Sequence, residues 1–264
     1  MEEKVWERIN HIRLTLDQTS TSVNVDRAEV ENFYDPLGLH LLKISREQKR
    51  LIVVVAGPPG SGKTVFATLL VAVINAEADR EEAVQIPLDG WHYPNKYLDT
   101  HTTPYLDQDM LLRQIKGSPV TYDTTAAYSC LEKIRKGGQI SYPVYSRIQH
   151  DPIANRGMVE PYHHIVILEG NYWLLQEAPW AKFQPLFDVR IFLTAKAETL
   201  LEGLRQRRLR GGRSAESTEQ QIANVDLPNI EYVLKNSARA DIIVHKADHI
   251  HIINVENLYK INSG

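Results

Sequence analysis

The chain has 264 residues, 43% of them hydrophobic, 24% charged and 8% aromatic, which suits one large folded domain with an appendage and excludes a disordered or fibrous protein. Thirty Lys and Arg against thirty-three Asp and Glu leave a net charge of -3, so the chain lacks the basic footprint of a non-specific nucleic-acid binder. A single cysteine, Cys130, permits neither an internal disulfide nor a cysteine-based metal framework, and no run approaches the ~18 apolar residues of a membrane helix. The N-terminus, MEEKVWERINHIRL, is charged and has no apolar core of a secretory signal. The expectation is a cytoplasmic protein with no membrane and no nucleic-acid partner.

Val5, Ile9, Ile12 and Leu16 recur at helical spacing and predict an amphipathic helix over residues 1–17, packed on the domain. Asp17–Asn24 reads as a turn, Asp26–Tyr34 as a second short helix, and Pro36 and Gly38 as punctuation before the first strand. That strand is Leu51–Ala56, an unbroken apolar run of the kind buried on both faces in a parallel sheet. Similar runs follow at Ala83–Leu88, His164–Leu168, Val189–Leu193 and Asp241–Val244. Helical stretches are predicted at Thr64–Ala78, Asp107–Lys116, Ala197–Arg210 and Ser217–Asn224, and Leu98–Asp107 reads as a loop. Strands alternating with helices imply right-handed βαβ units in a three-layer α/β fold. The expected division is a helical N-terminal extension over 1–46 and one α/β domain over 47–264.

Directly after the first strand stands Gly57-Pro-Pro-Gly60-Ser61-Gly62-Lys63-Thr64, which satisfies G-x-x-x-x-G-K-[ST] between a strand and a helix. Its glycines let successive backbone N–H groups turn inward as an anion nest, and the helix N-terminus adds its dipole. Lys63 can reach the β- and γ-phosphates, and the Thr64 hydroxyl can ligate Mg²⁺. A nucleoside triphosphate with Mg²⁺ is the expected ligand.

The second strand ends in LDGWHYPN, Leu88 to Asn95. Ligands of a parallel sheet sit beyond the carboxyl ends of its strands, where Asp89 could accept the proton of an attacking hydroxyl. Asp-Gly is also a common surface-turn dipeptide, and this segment alone does not separate the two. Five arginines between Arg205 and Arg213 likewise read, on their own, as a solvated helical face.

Taken together, LDGWHYPN, KGSPVTYD (Lys116–Asp123), PVYSRIQHDP (Pro143–Pro152), ILEGNYWLL (Ile167–Leu175) and DLPN (Asp226–Asn229) resemble the P-loop kinases that include uridine kinase, phosphoribulokinase and type I pantothenate kinase. Within that group the chain most resembles the uridine-kinase-like, fructose-transport-system-kinase-like proteins, from about Leu51 to Val244. The resemblance implies a P-loop NTPase fold with a mainly parallel sheet and a small lid at about 205–216. It also implies ATP-dependent phosphorylation of a hydroxyl on a small polar metabolite (a sugar, a nucleoside or a pantothenate-like acid).

By the same resemblance Asp89 is the catalytic base, assisted by Lys63 and by Arg207 of the lid. ATP is held by Gly57, Gly60, Ser61, Gly62, Lys63, Thr64 and Arg205, and Mg²⁺ by Thr64 and Glu169. The acceptor falls to His92, Tyr93, Tyr145, Arg147, His150, Asp151, Asn171, Tyr172, Asp226 and Asn229. Ser146 departs from one family pattern and Arg147 from another, and an arginine there suits a carboxylate or phosphate. Asp226 reads equally as a helix cap or turn residue. His163, His164, His245, His249 and His251 read as surface histidines rather than metal ligands. A homodimer is left open, and an NTP-hydrolysing regulatory protein without a small acceptor is the alternative reading.

Overall fold

The computed structural model describes residues 1–10, 13–16, 19–22, 25–105 and 108–257. Six strands form the central sheet: β1 (Leu51–Ala56), β2 (Ala83–Pro87), β3 (Ile165–Gly170), β4 (Val189–Thr194), β5 (Ile242–Lys246) and β6 (Ile252–Glu256). Their order is β6-β5-β4-β1-β3-β2, parallel throughout except for β6, which returns antiparallel on β5. Every residue of β1 and β3 is buried, as their unbroken apolar sequences require.

The pleat of β1 sorts its side chains into two cores, because successive residues of a strand point to opposite faces. Leu51, Val53 and Val55 face the helix Lys63–Ala78 together with Val5, Ile9, Tyr34, Leu37 and Leu41 from the first 45 residues. Ile52, Val54 and Ala56 face the opposite layer, where Trp91, Tyr122, Tyr172, Trp173, Trp180 and Phe183 pack with Leu131 and Ile134. The result is three layers, with the N-terminal segments contributing to one of them. No helix among the described residues is long and apolar enough to cross a membrane.

Several local expectations need correction. The first helix stops at Ile9, and Arg13–Leu16 is a strand paired antiparallel with Thr19–Ser22; Ile12 and Asp17 lie outside the described residues. Leu14 and Leu16 also fit an alternating pattern, and the adjacent Thr/Ser run supplies the partner. Pro36 lies inside a continuous helical run, Arg27–Glu29, the wide turn Val30–Tyr34 and Asp35–Ser45, instead of breaking it. The wide turn just before it, in which Asp35 N–H reaches back to Val30 O, already departs from the regular pattern that a proline interrupts.

Gln108–Leu111 is a strand on Thr102–Tyr105, not the start of a helix, and residues 112–117 are turns; Leu106 and Asp107 fall outside the described residues. The helix Ala215–Gln221 runs on through a wide turn, Ile222–Asp226, into Leu227–Asn236. The helix Thr124–Lys136 and the hairpin Ile140–Ser146/Asp151–Val159 complete the layer that faces the site.

Candidate active site

The carboxyl ends of β1, β2 and β3 converge on a cavity of about 690 Å³. The loop after β1 carries the glycines, and Gly60 and Gly62 both take left-handed φ angles, 85° and 79°. Gly62 is required for space as well. A Cβ there would stand 2.2 Å from the carbonyl oxygen of His249, on the turn after β5. The loop is therefore wedged against that turn.

Lys63 opens the following helix, and its Nζ donates to Pro58 O at 2.8 Å and to Ser61 Oγ at 3.4 Å. Burial lowers the Lys63 pKa, while the charges of Glu169 and Asp89 act in the opposite direction. Glu169 ends β3 almost fully buried and accepts a hydrogen bond from Thr64 Oγ1 at 3.2 Å. Burial and then the charge of Asp89 raise its pKa, and Lys63 and the Thr64 hydroxyl counteract them.

Asp89 lies in the tight turn after β2 with its side chain half exposed to the cavity. Its Oδ1 accepts the Tyr122 hydroxyl at 3.2 Å, and His92 Nε2 is 3.9 Å away. His92 is buried and stacked on Tyr122. Burial depresses its pKa below the ordinary 6.5, so it lines the cavity as a neutral ring at pH 7. Gly90, which follows Asp89, lies directly on the hairpin: a Cβ would meet Pro143 O at 2.0 Å.

Thirteen of the residues expected from sequence line this cavity. They are Gly60, Lys63 and Thr64 from the phosphate loop; Asp89, His92, Glu169 and Asn171 from the strand ends; Tyr145, Arg147 and His150 from the hairpin; and Arg207, Asp226 and Asn229 from the lid side. Asp226 is already engaged, since both its oxygens take hydrogen bonds from the Arg208 guanidinium. Asn229 is buried, with Nδ2 3.5 Å from Gly117 O. Gly57, Ser61 and Gly62 shape the loop without lining the cavity.

Four further expected residues are also not on the cavity wall. Arg205 is drawn outward by Glu219 at 2.6 Å and Glu202 at 2.8 Å. Tyr93 stacks on Tyr97, with ring centroids 4.4 Å apart. Asp151 accepts the Asn95 backbone N–H at 2.7 Å. Tyr172 is fully buried and donates to Gly117 O.

Sequence reasoning assigned no role to Arg113, Gln114, Lys116 and Tyr122, all of which line the cavity. Lys116 and Tyr122 belong to KGSPVTYD, one of the segments that carry the family resemblance, and that is the signal the sequence offers for them. Arg113 and Gln114 stood in a stretch read as a helix, which hid them.

The Phosphoribulokinase / Uridine kinase family matches residues 52–252. The uncharacterized protein YggC of Escherichia coli (strain K12) is 32% identical over 240 residues, covering 90% of this chain and 96% of that protein. A candidate uridine kinase of Schizosaccharomyces pombe is 28% identical, covering 85% and 95%. Among solved structures, a candidate fructose transport system kinase from Silicibacter sp. TM1040 superposes with a TM-score of 0.70 at 26% identity, over 80% of this chain and 97% of that one. This chain belongs to the phosphoribulokinase/uridine kinase family and is a P-loop small-molecule kinase.

Proposed function

We propose that this kinase transfers the γ-phosphate of ATP to a hydroxyl of a small polar metabolite, with Asp89 as general base. The observation that carries this reading is the position of Asp89. It shares one cavity with Lys63 and Glu169, and its Oδ1 is oriented by the Tyr122 hydroxyl. A carboxylate so placed can accept the hydroxyl proton as the oxygen attacks, a step a phosphate acceptor would not need.

The phosphate loop supplies inward backbone N–H groups and the Lys63 ammonium, both suited to a triphosphate. Thr64 Oγ1 and Glu169 Oε1, 3.2 Å apart, are hard oxygen donors that fit Mg²⁺. Bound there, the ion would offset negative charge between the β- and γ-phosphates. Arg207 faces the same cavity from the lid helix Ala197–Arg210 and would stabilise charge on the phosphoryl group in transfer.

The test is Asp89→Asn, which keeps size and hydrogen bonding while removing the base. ATP affinity should stay close to that of the unsubstituted protein, and acceptor-dependent turnover should fall by about 10²-fold or more. Turnover within a few fold of the starting value would remove Asp89 from the role.

A further inference from the structure

Lys116 differs from three arginines near the cavity, Arg113, Arg205 and Arg208, in what surrounds it. Arg208 has Asp226, Arg205 has Glu219 and Glu202, and Arg113 has Asp99 at 3.7 Å. The half-buried Lys116 instead places its Nζ 2.7 Å from Asn95 Oδ1, 2.8 Å from His150 O and 4.9 Å from the centre of the Tyr145 ring. All three partners are neutral.

No carboxylate among the described residues comes within ion-pair distance of Lys116. The nearby aspartates are engaged elsewhere: Asp99 with Arg113, Asp151 Oδ1 with the Asn95 N–H, and Asp89 Oδ1 with the Tyr122 hydroxyl. Burial, aided by Arg113, lowers the Lys116 pKa, whereas those three carboxylates act on it only at longer range.

A positioned, partly desolvated charge without a counterion is costly for a fold to keep, unless a ligand brings the opposite charge. The carbonyl of His150 that helps hold Lys116 comes from a residue at φ 52°, so the anchor is itself a specific backbone turn. Lys116 shares the cavity with Asp89, Arg113, Arg147 and Tyr145. The phosphates of ATP have their own cradle in the loop after β1. The uncompensated ammonium is thus left for the acceptor.

We propose that the acceptor carries an anionic group, a carboxylate or a phosphate, bound by Lys116 with Arg113 and Arg147, and is not a neutral sugar or nucleoside. This rests on the kinase reading above and narrows it. Lys116 becomes a specificity-determining residue of the acceptor site.

The experiment measures ADP release with Mg²⁺ and ATP over acceptor pairs that differ by one anionic group: glycerol with glycerate, and ribose and fructose with their phosphate monoesters. The unsubstituted protein, Lys116→Met and Lys116→Arg are compared, with Lys116→Gln in reserve should the methionine variant fail to fold by circular dichroism. The anionic member of a pair should have a kcat/KM at least about tenfold higher, and Lys116→Met should lose that preference mainly through the acceptor KM. Lys116→Arg should restore part of it, and the KM for ATP should stay within about twofold in all variants. Glycerate against the phosphate esters separates the two anion chemistries.

A preference for the neutral partners, or a preference undiminished in Lys116→Met, would overturn the inference while leaving the kinase reading intact. Failure of every acceptor to raise ADP release above the acceptor-free rate would count against the kinase reading itself, and the inference would fall with it.

Discussion

At the scale of single residues, the cavity is organised by where charge is compensated and where it is not. Lys63 and Glu169 are both buried, and burial disfavours the charged form of each while their mutual attraction restores it. Arg147 stands at the end of the first hairpin strand, half-buried and on the cavity wall. If it binds the acceptor, Arg147→Ala should raise the acceptor KM, or lower kcat/KM, by about tenfold or more, with the ATP KM little changed. Steady-state kinetics with each substrate varied in turn checks this. A lower melting temperature with unaltered acceptor kinetics would instead assign Arg147 to bracing the hairpin.

At the scale of elements, the join between β5 and β6 holds a buried lysine. Lys246 is 2% exposed, follows a break in the strand register, and its Nζ donates to Ile250 O across the turn. Burial pushes its pKa down from 10.5 to about 8, against the opposing charges of Glu29 and Asp248. Between those two values the unfolded chain holds the proton that the folded chain releases, so stability rises with pH across that window. The gain is lost progressively as pH falls from about 10.5 to about 8, and below that it is absent. The full amplitude is on the order of 3 kcal/mol at 1.36 kcal/mol per pKa unit. Urea unfolding from pH 7.5 to 10.5 should show the rise, and Lys246→Met should reduce its slope, the remainder belonging to the buried Lys63. An equal slope in both proteins would dissociate Lys246 from the effect.

The elements differ in how readily they could be read. The sheet strands were legible because burial on both faces demands continuous apolar runs such as LIVVVA and IVIL. The phosphate loop was legible because its chemistry is contiguous in the chain. The hairpin 140–159 was not, because its two strands are mostly half-buried or exposed and show no clean alternation. The helix Thr124–Lys136 hides behind a narrow stripe, Ala127, Leu131 and Ile134, set among polar residues. Arg113 and Lys116 gain their place from turns packed around Leu98, Leu112 and Ile115, contacts no local pattern announces.

At the scale of the whole molecule, Arg50 joins the layers. It sits just before β1, 2% exposed, and donates to the carbonyls of Ile134, Gly138, Glu160 and His163 at 2.9–3.0 Å. One planar guanidinium thus satisfies the end of a helix, the start of the hairpin and the approach to β3 together. Arg50→Met should leave these buried acceptors unpaired and cost about 3 kcal/mol or more. The urea midpoint should fall accordingly, while surviving folded protein should bind ATP as before. An unchanged midpoint would show that water replaces the guanidinium at little cost.

The close seating of Gly90 on Pro143 O has a consequence for the product. Any side chain at position 90 would push the turn that bears Asp89 away from the strand that leads to Tyr145 and Arg147. The Asp89 carboxylate, the proposed base, and the groups proposed to grip the acceptor therefore form a gauge whose span this close packing sets. A polyol held in such a gauge presents one hydroxyl, and only one, at the reacting distance. The phosphoester should accordingly form on a single carbon, and acceptors whose hydroxyl lies one bond nearer or farther from the gripped end should be turned away by length alone.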